Sequence, residues 1–213
     1  MKTDALIERL CERADPVSTL AAARALLIGT GAGALVSAAA MVLWLGVRPD
    51  LMQATGTPAY WMKFFYTLLF ALAGLWTLER LSRPGARTRT QMTLEALPFA
   101  AIALWALMRL AMAPAPMRMP MAMGHSSHVC PWRIVILSLP VFAGVLWGLR
   151  KLAPTRTVLA GGAAGLAAGA LGAFIYAFHC DESAAAFVAL WYTFGIVAVG
   201  AIGAIVGRFL LRW

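Results

Sequence analysis

Sulfur and imidazole side chains are concentrated in two short segments of this sequence. All three histidines and two of the three cysteines lie there, together with a run of alternating methionines. The chemistry-bearing residues are Met119, Met121, Met123, His125, His128, Cys130, His179 and Cys180. Thiols, thioethers and imidazoles bind soft metals, and thiols and thioethers are readily oxidised. The two segments therefore predict metal binding or redox chemistry.

Three interpretations of Cys130 and Cys180 are open from the residues alone. The two thiols could form a disulfide in an oxidising compartment, if their Cα atoms lie within about 7 Å of each other. They could instead bind a soft metal ion with the neighbouring His and Met side chains. They could also be oxidised reversibly as sensors. A fourth interpretation is that these loop residues only dip into the membrane interface, where Met is a common adaptable filler. It suits the methionines better than the two cysteines, because exposed free thiols are seldom left outside without a use.

No cofactor is expected to be obligatory, so a metal ion such as copper, zinc or cadmium would act as a signal. The chain also contains no C-x-x-C, H-E-x-x-H, G-x-S-x-G or phosphate-loop motif. Asp181 and Glu182 are adjacent, which does not give the facing geometry of a catalytic carboxylate pair. We interpret them as loop polarity or auxiliary ligands, and we predict that the protein is not an enzyme.

The elements that must position these residues are long apolar helices. The chain is 62% hydrophobic and 13% charged, whereas soluble domains are about half apolar and a quarter charged. About 20 apolar residues cross a bilayer as a helix. Six such runs occur, at Leu26–Val47, Trp61–Leu78, Thr93–Ala113, Trp132–Leu149, Val158–Phe178 and Phe187–Leu211. The sequence predicts an all-α integral membrane protein, a bundle of six transmembrane helices surrounded by membrane lipid.

The basic residues indicate how the bundle is oriented. The net charge is +9, and the Lys and Arg residues cluster at the ends of the apolar runs. They form no stripe that would follow a phosphate backbone, so no direct nucleic-acid binding is expected. With the N-terminus inside, thirteen Lys and Arg residues are cytoplasmic and five are outside, namely Arg48, Lys63, Arg109, Arg118 and Arg133. The positive-inside rule therefore predicts cytoplasmic termini, with residues 114–131 and 179–186 on the opposite side.

The first 24 residues form a polar N-terminal segment, which precedes the transmembrane domain of residues 25–213. Leu6, Ile7, Leu10 and Cys11 recur with helical spacing, which predicts an amphipathic helix over Thr3–Ala14. Such a helix either docks its apolar stripe into a partner protein or lies on the membrane surface. Its acidic residues disfavour contact with anionic lipid, so we favour partner docking.

Several parts of the chain resemble the NrsF-like family of membrane anti-sigma factors. The resemblance rests on the opening residues 1–10, on Asp15-Pro16-Val17, on Cys130-Pro131, and on residues 179–183 leading to Phe187 and Trp191-Tyr192. It covers essentially the whole chain. It implies a negative regulator of an extracytoplasmic-function (ECF) sigma factor in the bacterial inner membrane.

The resemblance also implies roles for particular residues. The family has a stress-sensing cysteine in each of two periplasmic loops, which Cys130 and Cys180 match. It supports docking of the sigma factor by the N-terminal helix, through Asp4, Leu6, Ile7, Leu10 and Cys11. The methionine-rich loop departs from the family pattern and leaves the nature of the signal open.

We therefore predict an anti-sigma factor that holds an ECF sigma factor at the membrane and releases it on periplasmic metal or oxidative stress. The main alternative is a copper- or heavy-metal-binding or transport protein. A transporter needs ligands through the bilayer, and the spans offer only Met41, Met62, Met108 and Met112, all in their outer halves. A membrane thiol redox enzyme is a third, weaker alternative.

Overall fold

The structure is a computed structural model that describes residues 3–12, 20–83, 89–152 and 154–212. These residues form helices and connections, with no strand among them. The helices are α1 (Thr3–Glu12), α2 (Ala21–Ala40), α3 (Leu51–Ala54), α4 (Pro58–Leu81), α5 (Arg89–Met112), α6 (Ala115–Met123), α7 (Cys130–Arg150), α8 (Thr157–Tyr176), α9 (Ala185–Phe187) and α10 (Thr193–Leu210). A π-helical turn at Met41–Leu45 prolongs α2, and another at Val188–Tyr192 joins α9 to α10.

Six helical stretches in the described chain are long and apolar enough to cross a membrane. They are Ala21–Leu45, Pro58–Leu81, Thr90–Met112, Cys130–Arg150, Thr157–Tyr176 and Ala185–Leu210. Each corresponds to one predicted span, and no end differs from its prediction by more than five residues. The prediction of six long apolar helices is therefore confirmed.

We call the connections at the end of the bundle that carries Cys130 and Cys180 the outer loops, after the side predicted for them. Local sequence signals explain where the neighbouring helices begin and end. The hydroxyl of Thr57 accepts a hydrogen bond from the backbone N–H of Tyr60 at 3.4 Å, and Pro58 occupies the first turn of α4. Both residues are signals of a helix start. The capping oxygen accepts from an N–H that has no partner within the helix, and proline has no N–H that would be left unpaired there. The first long helix ends at Gly46, whose φ of +74° is unfavourable for residues with a Cβ.

The methionine-rich connection contains a helix that the sequence analysis did not predict. We predicted residues 114–131 only as a loop between two spans, and within it Ala115–Met123 form α6. Met and Ala are good helix formers, and Pro116 lies in the first turn where its missing N–H costs little. The density of proline in this segment concealed the helix.

The core centres on α8, which is buried along most of its length. A Cβ atom built on Gly161 would collide with the backbone of Gly203 and Gly207 in α10, and one on Gly29 would collide with Gly144 in α7. Small residues at these crossings let the backbones approach closely, as in membrane helix bundles. The outer surface is apolar and includes Leu35, Leu43, Leu107, Ile205 and Phe209, all more than half exposed. Such a surface fits contact with lipid.

Candidate functional site

The structure brings Cys130 and Cys180 together although they are fifty positions apart. Cys130 is the first residue of α7, and Cys180 lies in the connection between α8 and α9. Both thiols are free, and they are 0% and 3% exposed. The two residues belong to one buried cluster, and the Cys130 side chain lowers the pKa of the Cys180 thiol. The described structure therefore brings the two reduced thiols close to each other.

Two cations hold the backbone of the Cys180 loop. The side chain of Lys63 in α4 is completely buried, and its Nζ donates to the carbonyl oxygens of Cys180 at 2.7 Å and of Glu182 at 2.8 Å. Arg48 donates through Nη1 to the same Cys180 carbonyl at 3.2 Å. Its Nε and Nη2 bind both carboxylate oxygens of Asp50 at 2.7 Å. The Cys180 carbonyl thus accepts from two positively charged side chains.

These neighbours shift the acidity of groups in the outer loops. The Cys130 side chain lowers the pKa of Cys180, and the Lys63 ammonium adds to this effect while burial opposes it. The hydrogen bond between Arg48 and Asp50 likewise raises the pKa of Arg48 and lowers that of Asp50. A thiol with a lowered pKa is more often the nucleophilic thiolate. Of the two thiols, Cys180 is therefore the one whose thiolate form is favoured.

A carboxylate clamps the two outer loops to each other. Oε1 of Glu182 accepts from the backbone N–H groups of His125 at 2.7 Å and Ser126 at 3.3 Å, and from the Ser126 hydroxyl at 3.3 Å. The His125 ring lies 2.9 Å from Glu182 and 3.3 Å from Asp181. Gly124 has a φ of +54°, and a Cβ there would collide with the Glu182 carboxylate. Glu182 therefore joins the loops, a role that the sequence analysis did not foresee.

A cavity of about 680 Å³ opens beside Cys180 on the same face. Its wall includes Arg48, Arg133 and all three histidines. Nδ1 of His179 lies 2.9 Å from the carbonyl oxygen of Gly46, and its Nε2 lies 3.4 Å from Nη1 of Arg133. Because the carbonyl can only accept, Nδ1 carries a proton, and Nε2 of the neutral ring accepts from Arg133.

The predicted metal ligands are only partly brought together. In the ranges that the structure describes, no three His, Cys, Asp or Glu side chains converge on a metal-binding position. Met119, Met121 and Met123 alternate along α6, where residues two apart point to different sides of a helix. Met119 and Met123 are exposed. The metal-binding set stays a prediction.

The sequence analysis assigned Lys63, Arg48 and Arg133 only to the outer set of topological charges. Lys63 carried the clearest signal, because an ionisable residue inside an apolar span is a candidate functional residue by default. The transporter alternative gains no support from α5, since Met108 and Met112 are 55% and 81% exposed on the outside of the bundle.

The N-terminal helix is described over Thr3–Glu12, and residues 13 and 14 of the predicted helix lie outside the described residues. Ile7 and Cys11 of the predicted docking set are exposed. The side chains of Asp4, Leu6 and Leu10 fall outside the described part of the chain. Their docking role remains a prediction.

Comparison with known proteins gives consistent matches over the whole chain. Residues 10–213 match the family model described as NrsF, negative regulator of sigma F. The anti-sigma-F factor NrsF of Caulobacter vibrioides (strain NA1000 / CB15N) is 41% identical over 214 residues, covering 100% of both chains. A probable anti-sigma-F factor NrsF of Azospira oryzae (strain ATCC BAA-33 / DSM 13638 / PS) is 39% identical over 215 residues, again covering 100% of both. No solved structure matches the chain.

Proposed function

Because this chain belongs to the NrsF family of negative regulators of sigma F, we propose that it holds an ECF sigma factor at the bacterial inner membrane and releases it when Cys130 and Cys180 react. The anti-sigma role follows from the family. The proximity of two buried thiols from different loops is the observation that carries the sensing mechanism. Both termini are cytoplasmic in this proposal, and the thiols face the periplasm.

The oxidative branch needs a two-electron oxidant such as a hydroperoxide. The Cys180 thiolate attacks the peroxide oxygen, the O–O bond breaks, and the products are a sulfenic acid and an alkoxide or hydroxide that takes up a proton. The Cys130 thiol then attacks the Cys180 sulfur, and the disulfide forms with release of water. In the metal branch, a soft ion binds both thiolates and displaces the Cys130 proton.

The thiol pair is joined to the cytoplasmic end of the bundle through α7. Cys130 begins this helix, and a Cβ on Gly148 near its other end would lie 3.0 Å from the backbone of Ala25 and 3.2 Å from that of Leu26 in α2. The last four residues of the N-terminal segment, 21–24, form the first turn of α2. We infer that bonding Cys130 to Cys180 displaces α7, and that the displacement reaches the docking segment through this tight crossing.

The docking element is the N-terminal segment, with the apolar stripe of α1 in a groove of the sigma factor. Exposure of Ile7 supports this assignment, since an isoleucine on a short helix gains from burial in a partner. Release then requires the oxidised or metal-bound bundle to favour a conformation with lower affinity for the sigma factor.

The test uses a reporter driven by the sigma factor in cells that carry each variant as the only copy. We expect Cys130→Ser and Cys180→Ser to abolish induction by hydrogen peroxide and by cadmium. Cys11→Ser is the matched thiol control, and we expect it to keep the wild-type ratio of induced to basal activity. Basal activity reports docking and the ratio reports sensing, so the two functions are measured separately. Unchanged induction in the Cys130→Ser Cys180→Ser double variant would show that the thiols are not the sensor.

A further inference from the structure

The cavity beside Cys180 has a charge pattern of its own. It measures about 680 Å³ and lies between the connection after α2, the connection before α7 and the connection after α8. This volume accommodates a small inorganic ion together with water. Cys180 forms part of the wall, so whatever occupies the cavity lies against the sensing loop.

The carboxylates in the wall have close partners. Asp50 makes a two-point ion pair with Arg48 at 2.7 Å, and Asp181 lies 3.3 Å from the His125 ring. Asp50 and Arg48 therefore offset each other's charge, and Arg133 is the second arginine in the wall.

Arg133 contributes a positive charge that no described carboxylate neutralises. The ion pairs within the described ranges involve other residues. Its partners are Nε2 of His179, whose ring is held by the Gly46 carbonyl, and the Tyr176 side chain. These contacts orient the guanidinium while leaving its charge intact. The other N–H donors of the planar group suit two-point binding of an oxyanion.

We propose that this cavity is a binding site for a small inorganic oxyanion, held by Arg133 with His128 on the same wall, next to Cys180. The inference rests on the proposed sensing role of Cys180 and adds a ligand class to it. A thiolate repels an anionic oxidant, and Arg133 offsets that repulsion, so the site favours anionic over neutral oxidants of similar reactivity.

Tetrathionate is a suitable anionic probe, because it oxidises a dithiol without an added co-reactant. The Cys180 thiolate attacks an inner sulfur, the central S–S bond breaks, and one thiosulfate leaves. The Cys130 thiol then attacks the Cys180 sulfur, which forms the protein disulfide and releases a second thiosulfate and a proton. Hydrogen peroxide produces the same disulfide as a neutral oxidant and is therefore the comparison.

The test uses the full chain in lipid nanodiscs and measures two quantities. Equilibrium dialysis with radiolabelled sulfate measures binding at constant ionic strength, and quenched thiol labelling measures the rate of disulfide formation. We expect about one sulfate per chain in the wild type, and none in Arg133→Gln at the same concentration. We expect tetrathionate to oxidise Arg133→Gln about tenfold more slowly than the wild type, with the peroxide rate within twofold.

Control variants separate the site from general charge and from misfolding. Arg118→Gln removes an outer arginine that is exposed and lies outside the cavity, so sulfate binding and both rates should be unchanged. Arg133→Lys keeps the charge, so its rate of oxidation by tetrathionate should lie between those of Arg133→Gln and the wild type. Such a recovery would show that the fold tolerates substitution at this position. Equal sulfate binding and equal tetrathionate rates in the wild type and Arg133→Gln would overturn the site. If sulfate binding depended on Arg133 while the cysteine variants still responded in cells, the anion site would stand and the sensing proposal would fail.

Discussion

Nζ of Lys63 lies 2.7 Å from the carbonyl oxygen of Cys180, which is 117 positions away in the chain. A second bond from the same nitrogen reaches the Glu182 carbonyl at 2.8 Å. One buried ammonium on α4 thus fixes the backbone on both sides of Asp181. It also lies close enough to the thiol pair to favour the thiolate of Cys180.

We predict that Lys63→Met lowers the stability of the protein and the reactivity of Cys180. Methionine has a similar length but donates to neither carbonyl. The Cys180 carbonyl keeps its bond from Arg48, whereas the Glu182 carbonyl loses the donor described for it, which costs about 1–3 kcal/mol. Thermal unfolding in detergent measures the first effect, and labelling of Cys180 by methyl methanethiosulfonate measures the second. Lys151→Met is the control, because this lysine stacks on Trp147 at 3.7 Å in the other part of the bundle. Wild-type labelling of Cys180 in Lys63→Met would contradict the role of the ammonium.

We predict that the labelling rate of Cys180 persists to lower pH than that of an ordinary thiol. Its pKa is lowered chiefly by the Cys130 side chain, so Cys130→Ala should move the midpoint of the pH profile upward. The lowered pKa of Cys180 also makes the stability of the protein depend on pH. The stability contributed by the thiolate is fully present above the unfolded pKa of about 8.5, and it is lost as pH falls through the lower folded pKa. Labelling rates from pH 5 to 10 in a Cys11→Ser background give the profile, and identical midpoints in the two proteins would refute the assignment.

We predict that Gly124→Ala separates the two outer loops. Alanine is strained at a φ of +54°, and its Cβ would meet the Glu182 carboxylate that accepts from the N–H of His125. The expected cost is about 1–3 kcal/mol in unfolding free energy. Gly31→Ala is the matched control, since a Cβ there meets nothing within 4 Å and alanine favours helix. Hydrogen exchange of residues 124–130 should increase only in the first variant, and equal exchange in both would count against the clamp.

We predict that Ile7→Asp weakens retention of the sigma factor at the membrane. Ile7 is 53% exposed on α1, and an aspartate in an apolar groove carries a large desolvation cost. Co-purification of the sigma factor from solubilised membranes measures retention. Glu8→Gln changes the neighbouring residue on the polar side of the helix and should retain the partner at the wild-type level. Full retention by a chain that lacks residues 1–15 would show that docking occurs elsewhere.

The six long apolar helices could be predicted from the sequence, because span length and hydropathy are local properties. The orientation that the Lys and Arg residues indicate stays a prediction. The π-helical turns and α6 could not be predicted. A proline-rich run predicts a break, and only packing decides whether a nine-residue helix is stable there. The position of Gly124 shows the same limit, since its reason is a carboxylate from another loop.

By itself, the sequence determined which residues could react and on which side of the bundle they lie. Cys130, Cys180 and the three histidines were all identified from residue type and spacing. Only the tertiary structure decided that the two thiols lie in one buried cluster. It alone also decided that Lys63 and Arg48 hold the Cys180 carbonyl, and that Glu182 joins the two loops. The physical reason is that these contacts connect residues from 50 to more than 130 positions apart. Such separations are closed by the packing of α4, α7 and α8, which no local pattern encodes.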